Sequence, residues 1–414
     1  MLLLSPTTYR AAPFMEAAAR LGLEVLQAVD LPPALAEVWQ VPLGVDFREP
    51  EAAAEQLIAY ARENPIGAII SVDDSASFIA ALVAGALGLP HNSPDAALAA
   101  RDKYLMRQRF AAAGVPSPRF KQFELDAEPA VAATQVRYPC VVKPRILSGS
   151  RGVIRADDPR ELIAAFARTA ALLRSLGFRA GSTGILVEDY IPGVEVALEG
   201  LLTERGLNVL ALFDTPDPLE GPFFEETIYV TPSRWPAATQ AAIAACTEAA
   251  ASALGLRVGP VHAELRVNEQ GPWMVEMAGR SIGGLCSQTL QFGTDLSLEE
   301  LILRQAFGYE VEALDRTGAA GGVNMIPIPS AGILRCVDGI AEAQAVPGVD
   351  EVQITAKLHD RLVPLPEGAS YLGFIFAHGE TAEQVETALR EAHSYLRFEI
   401  DAELPILNPF IGVG

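Results

Sequence analysis

The chain has 414 residues, half of them apolar, with 31 Lys and Arg against 52 Asp and Glu, a formal charge of −21. That length predicts two to four domains with ample cores. The acidic balance and the lack of a basic run exclude a nucleic-acid-binding surface, and no apolar run of about eighteen residues offers a membrane span.

The start Met1-Leu-Leu-Leu4 lacks the basic opening of a leader and reads as a first buried strand. Residues 1 to about 92 alternate strand and helix. Leu2–Leu4 and Glu24–Val29 read as strands, with a helix over Ala11–Leu21 between them. Pro65–Val72 is a continuous apolar run, as expected of a parallel strand buried on both faces. A helix over Ala76–Leu87 follows. This alternation predicts a doubly wound α/β domain. One helix comes next, with Ser93 as N-cap, Pro94 at N1 and Gly114 as its C′ stop. Val115-Pro-Ser-Pro118 is a linker.

Lysine is scarce: only Lys103, Lys121, Lys143 and Lys357 occur, and arginine fills the other basic positions. A compact ammonium kept in such a chain can serve as a point charge for phosphate. Lys143 lies in Tyr138-Pro-Cys-Val-Val-Lys-Pro-Arg145, a short apolar strand running into Ser148-Gly-Ser-Arg-Gly-Val153. A strand lysine followed by a small loop can clamp phosphates between loop N–H groups and the ammonium. Taken alone, the loop also reads as a common glycine turn. Lys103 sits inside the predicted helix, where a solvated face is the plainer reading.

A helix capped by Asp158 with Pro159 at N1 and a buried strand over Ile185–Ile191 complete a compact unit. Further on, His262 to Arg280 reads as two strands around Asn268–Pro272, because Ala263, Leu265 and Val267 alternate with polar residues and Gly271-Pro272 is turn chemistry. If the hairpin folds about Gln270, Glu264 faces Glu276. Like charges across a strand pair destabilise it, unless a cation sits between them. Two converging carboxylates suit Mg2+, with nucleotide phosphates completing the shell. Two exposed glutamates on a surface hairpin fit the pattern equally. His262 could touch a substrate or serve as an ordinary structural histidine. Ser281-Ile-Gly-Gly284 could let a substrate approach the backbone, or be a simple turn.

The last stretch, 311–414, holds strands such as Tyr371–Ala377 and a helix opened by Thr381 with Gln384 as a capping box. The four cysteines (Cys140, Cys246, Cys286, Cys336) are scattered without metal-ligand spacing. They read as reduced core thiols and point to the cytoplasm.

In chain order these features are a DK helix, a GVPSP linker, a VVKP strand, an SGSRGV loop, VEDYIPGVE, and the HAE and VEMAGR strands. The succession resembles the ATP-grasp superfamily. Within it, the chain is similar to the carboxylate–amine ligases that include bacterial L-amino-acid ligases, which make dipeptides. The resemblance covers nearly the whole chain and rests on order and spacing rather than on any single motif.

The resemblance implies an α/β ATP-grasp fold, α+β in the grasp region. It divides into an N-terminal domain (1–115), a lid subdomain (116–188), a catalytic subdomain (189–310) and a C-terminal α+β subdomain (311–414). It implies ATP and Mg2+, with Mn2+ as an alternative. Lys103 and Lys143 match the lysines that contact ATP phosphates, and Gly149, Ser150 and Gly152 match the loop that closes over them. Glu188, Asp189, Tyr190 and Ile191 match the hinge that reads the adenine edge, and Glu195 the carboxylate that holds the ribose. Glu264 and Glu276 match the metal ligands. Arg280 matches the arginine that steadies the acylphosphate and the tetrahedral intermediate. Ser281, Gly283, Gly284 and His262 are candidate substrate contacts.

Two positions depart from the wider pattern. Ala278 stands where many ATP-grasp enzymes carry an asparagine, a form the amino-acid-ligase branch also tends to show. In Phe223–Ser233, Glu226 suits the amino group of an amino acid, but Tyr229 stands where related ligases often have histidine, which puts the acceptor in doubt. The implied reaction joins a carboxylate to an amine through an acylphosphate, with small-molecule, amino-acid substrates. Purine-pathway or biotin-carboxylase-like chemistry and a non-catalytic nucleotide-binding module are the alternatives. The last hundred residues either close the substrate pocket or form a homodimer contact.

Overall fold

The computed structural model describes residues 1–402 except 7, 40, 42, 294, 310, 312–315 and 317–319. Residues 403–414 of the expected C-terminal unit therefore lie outside the described residues.

The N-terminal domain is a parallel sheet of β1 (Leu2–Leu4), β2 (Gln27–Asp30), β3 (Leu43–Val45) and β4 (Ile70–Ser71) in the order β3-β2-β1-β4. Helices Ala11–Arg20, Pro50–Glu63 and Ser77–Leu87 bury apolar stripes against it. The expected long strand over Pro65–Val72 shrinks to Ile70–Ser71. Its partner β1 is only three residues long, so little ladder exists for it to join.

The single helix expected between Ser93 and Gly114 is two helices, Pro94–Arg101 and Lys103–Ala113, broken at Asp102. Asp102 adopts extended backbone angles and its carboxylate accepts from the N–H groups of Tyr104 and Leu105. An aspartate that can cap competes with helix continuation. The same carboxylate pairs with Arg145, and the Lys103 N–H donates to the Arg145 carbonyl at 3.0 Å. Lys103 is thus the first residue of a new helix and is fixed against the strand that carries Lys143.

The lid is an antiparallel sheet, β5 (Phe120–Glu124), β6 (Cys140–Pro144), β7 (Ile154–Ala156) and β8 (Gly184–Asp189), in the order β5-β8-β6-β7. Helix Pro159–Ser175 packs Leu162, Phe166 and Leu173 on it, and Asp158 caps that helix as expected.

The third body is one eight-stranded antiparallel sheet. It starts with β9 (Val194–Thr203), β10 (Gly206–Asp214), β11 (Ile228–Thr231), β12 (Gly259–Asn268) and β13 (Gly271–Ala278), ordered β13-β12-β9-β10-β11. From β11 it continues through Ala320–Ile326, Gly373–Gly379 and Val349–Ile354. The 189–310 and 311–402 parts therefore share a sheet. Thr381 caps helix Ala382–Tyr395 through the Gln384 N–H, but the Gln384 side chain accepts from Glu380 N rather than from Thr381 N, so the capping box is half formed. The complete box is at Ser297 and Glu300, opening helix Leu298–Ala306.

Candidate active site

The β12–β13 hairpin sets the register of the site. Asn268 pairs with Gly271 and Leu265 with Met274, one residue off a turn centred on Gln270. A bulge restores the offset: Glu264 faces Glu276 as expected, and Val275 is the extra residue. The Arg107 guanidinium donates to the carbonyl of Val275, which stabilises the bulge.

β12 turns His262, Glu264 and Arg266 to one face, and β9 does the same with Glu195 and Glu199, following the two-residue period of a strand. Carboxylate oxygens of Glu195, Glu226 and Glu264 lie within 4.8 Å of one another. Glu276 is instead bonded to Lys103 Nζ at 2.9 Å. The metal pair expected from the hairpin is thus joined at Glu264 by two carboxylates expected to serve ribose and substrate.

The cluster is electrostatically loaded. Burial and then the nearby Glu264 push Glu195 up to about 7, against the pull of Arg266, which donates to it at 3.0 Å. Burial and the charges of Glu264 and Glu195 raise Glu226 well above the ordinary range, although Tyr229 hydrogen-bonds to it. Burial would push Glu264 up too, but His262, Arg280 and Lys103 hold it low. Three converging oxygen donors, of which Glu264 is held low and raises the proton affinity of the other two, fit a hard divalent cation.

A second charged cluster lies beside the 148–153 loop. Glu188, nearly fully buried, approaches Lys143 Nζ at 2.6 Å and Arg107 Nε at 2.7 Å. Burial opposes its ionisation, yet the two cations hold its carboxyl below the usual range. Burial lowers the pKa of Lys143, and Arg107 lowers it further against the pull of Glu188. Two cations share one carboxylate, so an incoming phosphate would find unspent positive charge. The loop after Lys143 has Gly149, Ser150 and Gly152 at φ 64°, 52° and 74°. Left-handed residues such as Gly149 and Ser150 favour an anion nest, whereas the Gly152 N–H donates to the Pro366 carbonyl at 2.7 Å.

Lys103, Lys143, the 148–150 loop and the 188–191 segment line one cleft. Tyr190 hydroxyl and Ile191 carbonyl both accept from Arg266, at 2.9 and 3.1 Å, so the strand exit after β8 is fixed to β12. Ser148, Gly149, Glu226, Glu264 and Arg280 are shared with a second chamber, where Tyr9, Arg10, Tyr229, His262, Gly283, Gly284 and Tyr371 contribute walls. The candidate residues therefore fall into two joined compartments. Ser281 is buried beside them, accepting from Arg10 Nη2, and Gly152 packs under the loop against Pro144.

Family models match in three stretches: an ATP-grasp domain at 136–289, an ATP-grasp N-terminal domain at 15–91 and an L-amino acid ligase C-terminal domain 2 at 324–401. The chain belongs to the ATP-grasp ligases. A crystal structure of L-amino acid ligase from Bacillus licheniformis superposes with a TM-score of 0.81 at 27% identity, covering 97% of this chain and 98% of that one. Protein y4rH of Sinorhizobium fredii is 26% identical over 95% of this chain and 81% of its own length. The D-alanine–D-alanine ligase of a Synechococcus strain is 32% identical over 46% of this chain, which spans 58% of that ligase.

Several residues of this candidate site escaped sequence reasoning. Asp74 accepts from Arg280 Nε at 2.9 Å and from its Nη2 at 2.7 Å. Its signal was Val72-Asp-Asp-Ser75, an acidic turn just past a parallel strand, where α/β sheets bind ligands. Arg107 follows Lys103 by one helical turn and so shares its face. Arg266 follows Glu264 by two on one strand. Glu199, fully buried, accepts from Ile282 N at 3.0 Å and contacts His262 Nδ1 at 3.3 Å. It anchors both the 281–284 turn and the histidine. Burial lowers the His262 pKa, but Glu199 and Glu264 on either side outweigh it and raise it to about 9.

Proposed function

We propose that this ATP-grasp ligase joins a carboxylate to an amine through an acylphosphate, with an amino acid as at least one substrate. The observation that carries the reading is the pair of joined compartments, with Arg280, Glu264 and Glu226 on their shared wall. One compartment suits a triphosphate and the other a small polar substrate. The match of residues 324–401 to an L-amino acid ligase C-terminal domain favours amino acids over bicarbonate or formate.

In this reading Lys103, Lys143 and the 148–152 loop hold the triphosphate, and the 188–191 segment holds the adenine. Glu264, with Glu276 and Glu195, would hold Mg2+, which offsets charge on the phosphates when bound. The substrate carboxylate attacks the γ-phosphorus, the bond to ADP breaks, and an acylphosphate forms. The amine then attacks the acyl carbon and phosphate leaves. Arg280, locked by Asp74, donates to the oxyanion of that step. Glu226 receives the substrate's ammonium group, and Tyr229 holds Glu226.

Oxygen-18 in the substrate carboxylate tests this directly. One labelled oxygen should appear in the released phosphate. Unlabelled phosphate would exclude an acylphosphate.

A further inference from the structure

We propose that residues 364–371 are a latch that holds the phosphate loop and lid closed and ties that closure to the substrate chamber, with Glu367 as its positioning residue. The inference rests on the ligase reading above for its consequence, but not for its geometry.

Glu367 grips the lid helix Pro159–Ser175. Its two carboxylate oxygens accept from Arg168 Nε at 2.6 Å and Nη2 at 2.8 Å, the forked geometry that fixes orientation as well as distance. The backbone of the same segment grips the phosphate loop. Gly152 N donates to the Pro366 carbonyl at 2.7 Å, and Arg151 Nε donates to the Glu367 carbonyl at 2.7 Å. The segment is stiffened by a tight turn at Gly368, where a Cβ would lie 1.7 Å from the Val363 carbonyl oxygen. Two residues after Glu367, Ala369 lies against Gly149, and both Ala369 and Tyr371 line the substrate chamber. One short stretch of the C-terminal region thus touches lid, loop and substrate wall at once.

The chemistry gives this arrangement a purpose. An acylphosphate formed before the amine arrives is exposed to water. Attack of water on the acyl carbon breaks the bond to phosphate and returns the original carboxylate, so ATP is consumed without product. A loop held shut while the chamber is filled excludes that water. Arg168 and Glu367 are 46% and 39% exposed, so solvent screens their pairing and its loss should loosen the latch only about threefold.

Two readouts test the proposal on the full chain. The first is the rate of trypsin cleavage after Arg151 without nucleotide, in the wild type, in Glu367→Gln and in the charge-swapped Arg168→Glu/Glu367→Arg. Cleavage should be about threefold faster in Glu367→Gln and return toward wild type in the swap; equal rates in all three would overturn the latch. The second is the ratio of ADP released to joined product, with ATP, Mg2+ and the amino-acid pair that the wild type joins. The ratio should rise in Glu367→Gln and recover in the swap. Faster cleavage with an unchanged ratio would overturn the tie to catalysis. A wild type that joins no amino-acid pair would contradict the ligase reading, while the cleavage rates would still decide the latch.

Discussion

Asp74 and Arg280, 206 residues apart in the chain, meet through two hydrogen bonds of 2.9 and 2.7 Å. The N-terminal domain thereby orients an arginine that the central sheet carries at the end of β13. Burial lowers the arginine's proton affinity, but Asp74 more than restores it, so Arg280 stays charged. Asp74→Asn keeps the shape and removes the charge. It should lower kcat by about tenfold or more, since a misaimed oxyanion donor loses much of its effect, with KM for ATP little changed. Steady-state kinetics check this. An unchanged kcat would remove Arg280 orientation from the account.

Glu188 sits buried between Lys143 and Arg107. Glu188→Gln leaves two cations without their carboxylate and should cost about 3 kcal/mol at neutral pH, measured by denaturant unfolding. The pH dependence has a definite sign. The folded-state pKa of Glu188 lies below its ordinary 4.5, so its contribution is complete above pH 4.5 and is lost as pH falls through the folded value. The difference between wild type and variant should therefore shrink on acidification below pH 4.5. A gap that stays constant or widens there would contradict the assignment.

Glu276→Gln should abolish ATP-dependent turnover while leaving the melting temperature close to that of the wild type, because its side chain is 26% exposed and, among the described residues, its ion pair is with Lys103, to which Gln can still hydrogen-bond. Chelation of divalent metal should do the same to the wild type and be reversed by Mg2+. Turnover in either case would refute the metal assignment.

Asp102 caps one helix and pairs with Arg145. Asp102→Ala should lower stability by about 1–2 kcal/mol and raise KM for ATP, because Lys103 begins the helix that this cap starts. Thermal unfolding and ATP titration test the two effects. A lower stability with an unchanged KM would separate the cap from nucleotide binding.

Local rules with a single partner read well from the sequence. Asp158 at its helix start, the parallel N-terminal strands and the facing of Glu264 and Glu276 all follow from periodicity and turn chemistry. The last of these is right for a partly different reason, since a bulge at Val275 corrects a turn one residue off. Where a residue had two local options, its choice depended on distant partners. Asp102 breaks a helix that propensity alone would continue, because Arg145 and the Lys103 N–H are fixed to the neighbouring strand. Glu195 and Glu226 read as separate ligands because their elements are far apart in sequence; the sheet order β12-β9 and the turn before β11 bring them to Glu264. Asp74, Arg107 and Glu199 were invisible for the same reason. Each acts on a partner more than eighty residues away: 206 for Asp74 to Arg280, 81 for Arg107 to Glu188 and 83 for Glu199 to Ile282.

The central claim is amide formation from amino acids. The most direct measurement is ADP release with ATP, Mg2+ and amino acids offered singly and in pairs, with mass spectrometry of the products. The account predicts ADP release together with a product whose mass is that of two amino acids less one water. ADP release with bicarbonate or formate, and none with any amino acid, would contradict it.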